Sequence, residues 1–170
     1  SFRRSMPARP ATWDDATLTF EAVAATGTGV MRRDSRGPYV EILDLAGLDL
    51  TRAQGVPLVD NHRLGSARDV VGIVESVRVE GGEAIARIRL SQAEDVEPLT
   101  ARVKDGTLRG VSIGYSVPEW REGTDAQGRR TKTAVRRTLR EVSLTPNPAD
   151  ETPGIRANQR TNPMPEGSPE

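Results

Sequence analysis

The sequence predicts a β-rich domain of the α+β class, a β-barrel or sandwich of about seven short strands with peripheral helices, on three observations. Short runs in which apolar and polar residues alternate recur between turn residues, a Gly81-Gly82 pair joins two such runs, and only one segment carries helical periodicity. Leu18, Phe20 and Ala22 alternate with polar neighbours, and Tyr39 to Leu43 is a short β-forming run. Val70 to Val79 and Ala84 to Leu90 read as a hairpin, because consecutive glycines accept the positive φ of a tight turn.

Ser91 and Glu94 have the spacing of a capping box, and Val96, Leu99 and Val103 follow at helical spacing until Gly106. Pro98 places the helix start near Asp95, since proline is accepted in a first turn. Gly110 to Tyr115 then reads as a strand, about Glu119 to Thr133 as a polar loop, and about Arg137 to Leu144 as a last strand closed by Pro146 and Pro148.

With 170 residues the chain suffices for one domain with a real core. Residues 1–15, carrying Arg3, Arg4 and Arg9, read as a flexible basic leader, 16–150 as the folded domain and 151–170, rich in Pro, Asn, Glu and Gly, as a disordered tail or linker. A first residue Ser1 in place of methionine reads as a piece of something longer. Twenty-four basic and 24 acidic side chains cancel, so no global field draws the chain to nucleic acid or an anionic membrane. No apolar run has the length of a membrane helix. The absence of cysteine excludes disulfides, thiolate zinc sites and a cysteine nucleophile.

Candidate chemistry gathers at few positions. His62, the only histidine, ends the apolar run Val56 to Val59 and equally fits a surface or capping role. Ser112 lies between Gly110 and Gly114, small residues that leave room for a substrate backbone; it equally fits the small face of a buried strand. The order helix, then strand, is not that of a nucleophile elbow. A serine nucleophile needs a base, and the base an orienting group. Glu141 is the candidate for that group, on a strand face with Leu139 and Ser143, while Asp60 and Asp69 are rivals by proximity to His62. Asp60 with His62 alone makes a poor metal site. The basic run Arg129, Arg130, Lys132, Arg136, Arg137 and Arg140 reads as a solvated strand edge, since it lacks aromatics for base stacking.

Taken in order, Val-Pro-Leu-Val-Asp-Asn-His62, the hairpin from Gly72, the run Val103 to Tyr115 around Ser112, and Leu-Arg-Glu141-Val-Ser-Leu-Thr-Pro-Asn-Pro-Ala149 resemble the HK97-like prohead proteases of tailed bacteriophages, relatives of herpesvirus assemblins. The resemblance spans about Leu18 to Asp150. It implies an assemblin-like β-barrel and a serine peptidase in which Ser112 is the nucleophile, His62 the base and Glu141 the third member, with no metal or other cofactor. By analogy with assemblins, the loop after Leu144 supplies the oxyanion hole. The implied partners are the capsid-protein precursor or a scaffold protein, with a homodimer left open and neither nucleic acid nor membrane involved. The implied place is the interior of a procapsid assembled in the bacterial cytoplasm, and the implied targets include the chain itself. A barrel that keeps this fold as an inactive scaffold or capsid-assembly module is the alternative.

Overall fold

A computed structural model describes residues 2–146, with side chains from Thr12 onward. Nine strands form one sheet: β1 (Phe2–Asp14), β2 (Thr19–Thr26), β3 (Val30–Asp34), β4 (Gly37–Leu43), β5 (Pro57–Asp60), β6 (Val70–Glu80), β7 (Glu83–Leu90), β8 (Gly110–Thr124) and β9 (Arg130–Thr145). Two short helices, α1 (Leu50–Ala53) and α2 (Glu97–Lys104), and three 3-10 turns complete the described chain. The strand order is β3-β4-β9-β5-β6-β7-β2-β1-β8, and β8 also pairs with β9. Seven strands, β9-β5-β6-β7-β2-β1-β8, therefore close into the expected barrel, which leaves β3 and β4 as a flap on one side of β9.

Alternation puts Phe20, Ala22, Leu58, Val74, Ile88, Leu90, Val111, Ile113, Tyr115, Val142 and Leu144 into one buried core. The β6–β7 hairpin turns at Gly81 and Gly82, whose φ values of 57° and 75° demand glycine. Trp13 stacks on Phe20 from the end of β1. The stretch expected as a leader thus runs as β1, hydrogen-bonded between β2 and β8, because barrel closure requires a strand there. The expected tail lies outside the described residues.

Three local expectations change. Ser91 forms no capping box: its hydroxyl accepts from Ala93 N, and the segment starts as a 3-10 turn, Glu94–Val96, with no side-chain cap. The box forms instead between Ser66 and Asp69, at the 3-10 turn Ala67–Asp69. The polar loop expected over 119–133 is mostly ladder. β8 and β9 stay paired out to Thr124 and Arg130, and the Asp125 carboxylate closes the tip by accepting from Gln127 N and Arg129 N.

The third change is a shift in the alternation of β9. Gly114 pairs with Glu141, but Tyr115 pairs with Leu139, so Arg140 is an extra residue and the strand bulges there. Leu139 consequently joins the core instead of sharing a face with Glu141 and Ser143. Arg137, expected on a solvated edge, is buried and donates from Nη1 to the Asp44 carbonyl at 2.9 Å. Buried Glu41 accepts from Tyr115 Oη at 2.8 Å on the same side of the barrel. Three others of the basic run form ion pairs at the surface. Arg129 meets Asp125, while Arg130 and Lys132 meet Asp34 and hold its carboxyl far below the usual carboxylate range.

Candidate active site

β5, β9 and β8 lie side by side, and their register builds the site. Leu58 pairs with Val142 and Asp60 with Leu144, while Val111 and Ile113 face the same two β9 residues from the other side. All but Asp60 belong to the core, so these rows point into the barrel. The row between them, Val59, Ser143 and Ser112, and the next, Glu141 and Gly114, therefore point to the outer face.

His62 reaches that face through a tight turn. Asn61 and His62 have φ values of 47° and 62°, and Arg63 N donates back to the Asp60 carbonyl at 3.0 Å. Two central residues in the left-handed region with this hydrogen bond define a type I′ turn. Asparagine is at home in its first central position, whereas the second normally holds glycine. A histidine there carries strain of about 1–2 kcal/mol, which points to a constraint beyond folding. Asn61 N donates to the Leu144 carbonyl, so the turn is tied to β9 from its first residue.

The imidazole lands on Glu141. Nδ1 is 2.6 Å from Glu141 Oε1, with both side chains largely buried. Ser143 completes the group: its hydroxyl donates to Glu141 Oε2 at 2.8 Å, accepts from His62 N at 2.9 Å and lies 3.3 Å from Nδ1. With Glu141 ionised, the proton between it and the ring belongs to Nδ1, which leaves Nε2 with its lone pair. A base oriented by a carboxylate, with its second nitrogen free, is the arrangement that proton transfer from a hydroxyl requires.

Ser112 is buried on the same face, directly across the ladder from Ser143, a pairing that sets the two Cβ atoms about 5 Å apart. The structure thus joins Glu141 to His62 and seats Ser112 one strand beyond. Among the described residues Ser112 Oγ makes no hydrogen bond to His62. Such contacts are often formed only with substrate bound.

The two rivals of Glu141 are occupied elsewhere. Asp69 Oδ2 accepts from Ser66 N, and Asp60 Oδ2 lies 3.8 Å from Arg63 Nη1. Among the described residues no three His, Cys, Asp or Glu side chains converge in a way that would hold a metal. No helix among them is long and apolar enough to cross a membrane.

Ser143 and the two glycines beside Ser112 escape a reading by residue type. Ser143 was visible only as a neighbour of Glu141 at a spacing of two. The glycines beside Ser112 leave space for β9 rather than for substrate: a Cβ on Gly110 would meet the Thr145 carbonyl oxygen at 2.2 Å, and one on Gly114 would meet Glu141 Oε1 at 2.5 Å. The carboxylate lies flat on Gly114. Gly114→Ala is therefore expected to push Glu141 off His62, because a side-chain end yields more easily than backbone. Turnover should fall about 10²-fold, the scale of an ångström-sized misplacement. Cleavage rates measured beside a thermal melt check this, and the melt should move by only a few degrees.

A family model described as Caudovirus prohead serine protease matches residues 47–166, which include all of these groups. The chain belongs to this family. It is also 32% identical over 124 residues, 68% of its length, to a protein named Major capsid protein from Halomonas phage phiHAP-1. The chain spans about a fifth of that relative, 20% of its length. No solved structure matches. Prohead serine proteases are serine peptidases, and the matched segment contains His62, Ser112, Glu141 and Ser143.

Proposed function

We propose that the chain is an endopeptidase that cleaves the scaffold or capsid-precursor protein of a tailed phage, and then itself, during procapsid maturation. The carrying observation is the 2.6 Å contact that fixes His62 on Glu141, one strand from Ser112, in a chain of this family. Ser112 Oγ attacks the scissile carbonyl as His62 Nε2 takes its proton. A tetrahedral oxyanion forms, which backbone amides stabilise. Its collapse expels the amine, to which His62 returns the proton, and water then releases the acyl group by the same steps. Glu141 holds the tautomer and balances the charge of the imidazolium. The loop after Leu144, expected to supply the oxyanion hole, lies largely outside the described residues.

The reaction needs no group beyond these side chains, and it takes place inside the procapsid, assembled in the bacterial cytoplasm, where the targets are enclosed with the enzyme. The relative's name favours capsid protein over a separate scaffold as the target. It also gives substance to the second reading, a capsid-assembly module without activity.

Incubation of the wild type and Ser112→Ala with the cognate capsid or scaffold precursor, followed by mass spectrometry of new termini, separates the two. New termini with the wild type alone support the peptidase. None with either protein supports the module. Glu141→Gln keeps the shape of the side chain but removes its charge and favours the wrong tautomer, so turnover should fall about 10⁴-fold. Unchanged turnover in a rate assay removes Glu141 from the mechanism.

A further inference from the structure

We propose that Ser143 is a fourth working member of this site, a positioning residue whose single hydroxyl sets both the place and the tautomer of His62. The inference rests on the peptidase reading for its kinetic consequence but not for its structural one.

Proton bookkeeping carries it. A serine hydroxyl has one proton to give, and Ser143 gives it to Glu141 Oε2 at 2.8 Å. Nothing is left to donate to Nδ1, 3.3 Å away, so the oxygen can face that nitrogen favourably only if Nδ1 carries hydrogen. Glu141 Oε1 makes the same demand from the other side at 2.6 Å. Two acceptors therefore converge on Nδ1, and both disfavour the tautomer that would place the proton on Nε2, where the base must be empty.

The same oxygen accepts from the backbone N of His62 at 2.9 Å. That bond holds the left-handed second position of the turn, the one a histidine occupies at a cost. Because Oε1 and Oε2 of Glu141 have different fixed partners, rotation of the carboxylate about its last bond breaks one bond or the other. Ser143 has no exposure to solvent, so no water replaces what its removal takes away. Its place opposite Ser112 in the ladder makes it the link between the nucleophile's strand and the base.

The full chain offers an unusually clean test, since its one histidine makes the imidazole ¹⁵N spectrum a report on His62 alone. Spectra of wild type, Ser143→Ala and Ser143→Thr at neutral pH should show the Nδ1–H tautomer in the first and third and a mixed population in the second. Labelling of Ser112 by a fluorophosphonate probe should slow about 10²-fold in Ser143→Ala through its maximal rate, with the half-saturating probe concentration unchanged, and recover at least about tenfold in Ser143→Thr.

A Ser143→Ala protein with the wild-type tautomer and the wild-type labelling rate would overturn the proposal. So would a Ser143→Thr protein that folds, keeps its hydroxyl and still shows the mixed tautomer. If the wild type shows no more labelling than Ser112→Ala, the peptidase reading is lost, and the imidazole spectra decide the role of Ser143 unaided. Should Ser143→Ala not fold, Ser143→Thr and Ser143→Cys, which replaces the hydroxyl by a weak donor, take its place in the same spectra.

Discussion

Ser112→Ala is expected to lower cleavage of the capsid precursor by about four to six orders of magnitude while leaving the thermal midpoint within a degree or two of wild type. In the proposed mechanism the rate falls because the attacking oxygen is gone, and whatever remains comes from the oxyanion donors and substrate binding. Stability is spared for a different reason. The Ser112 hydroxyl has no hydrogen bond among the described residues, so alanine abandons no partner, and a small side chain already suits this position on β8. Single-turnover rates and a calorimetric scan on the same preparation check both halves. A variant that cleaves at the normal rate removes the serine from the mechanism whatever the scan shows.

His62→Gly should cost as much activity as Ser112→Ala, and the double variant no more than either, because in the proposed mechanism base and nucleophile act as one unit. Its effect on the fold runs against intuition for so well-packed a residue. Asn-Gly is the preferred pair for a type I′ turn, so glycine at 62 releases about 1–2 kcal/mol of backbone strain. Against this, Glu141 loses a charge-assisted hydrogen bond of about 1.5–3 kcal/mol, part of which water restores through the opening the imidazole leaves. The two nearly cancel. Denaturant melts should place His62→Gly within about 1 kcal/mol of wild type. A loss several times larger would mean that the histidine serves folding more than chemistry.

The barrel was legible because its signals are local. Period-two runs, the Gly81-Gly82 turn and Pro98 in a first turn each act within a few residues, and the structure keeps all three. Ser112, His62 and Glu141 could be singled out as candidates by type, and the structure brings His62 and Glu141 into contact, although the glycines beside Ser112 serve β9. Three features were not legible, and they share a cause. The role of Gly114, the extra residue at 140 and the contacts of Ser143 all depend on which residue of a partner strand lies opposite, and register between distant strands is decided by the packing of the whole barrel. The leader went astray for the same reason: β1 has little pattern of its own and is ordered by two neighbours.

The bulge on β9 bears on how the gene can change. The alternation of β9 shifts at Arg140, so one codon keeps Arg137 and Leu139 inside while Glu141 and Ser143 stay outside. Arg140 itself is exposed and donates to Ser116 through its side chain, so the fold makes little demand on which residue stands there. Losing it in frame is another matter, because the residues just before it, Arg137 and Leu139, would exchange inside for outside. At this point the reading length, more than the letter, is what selection has to preserve.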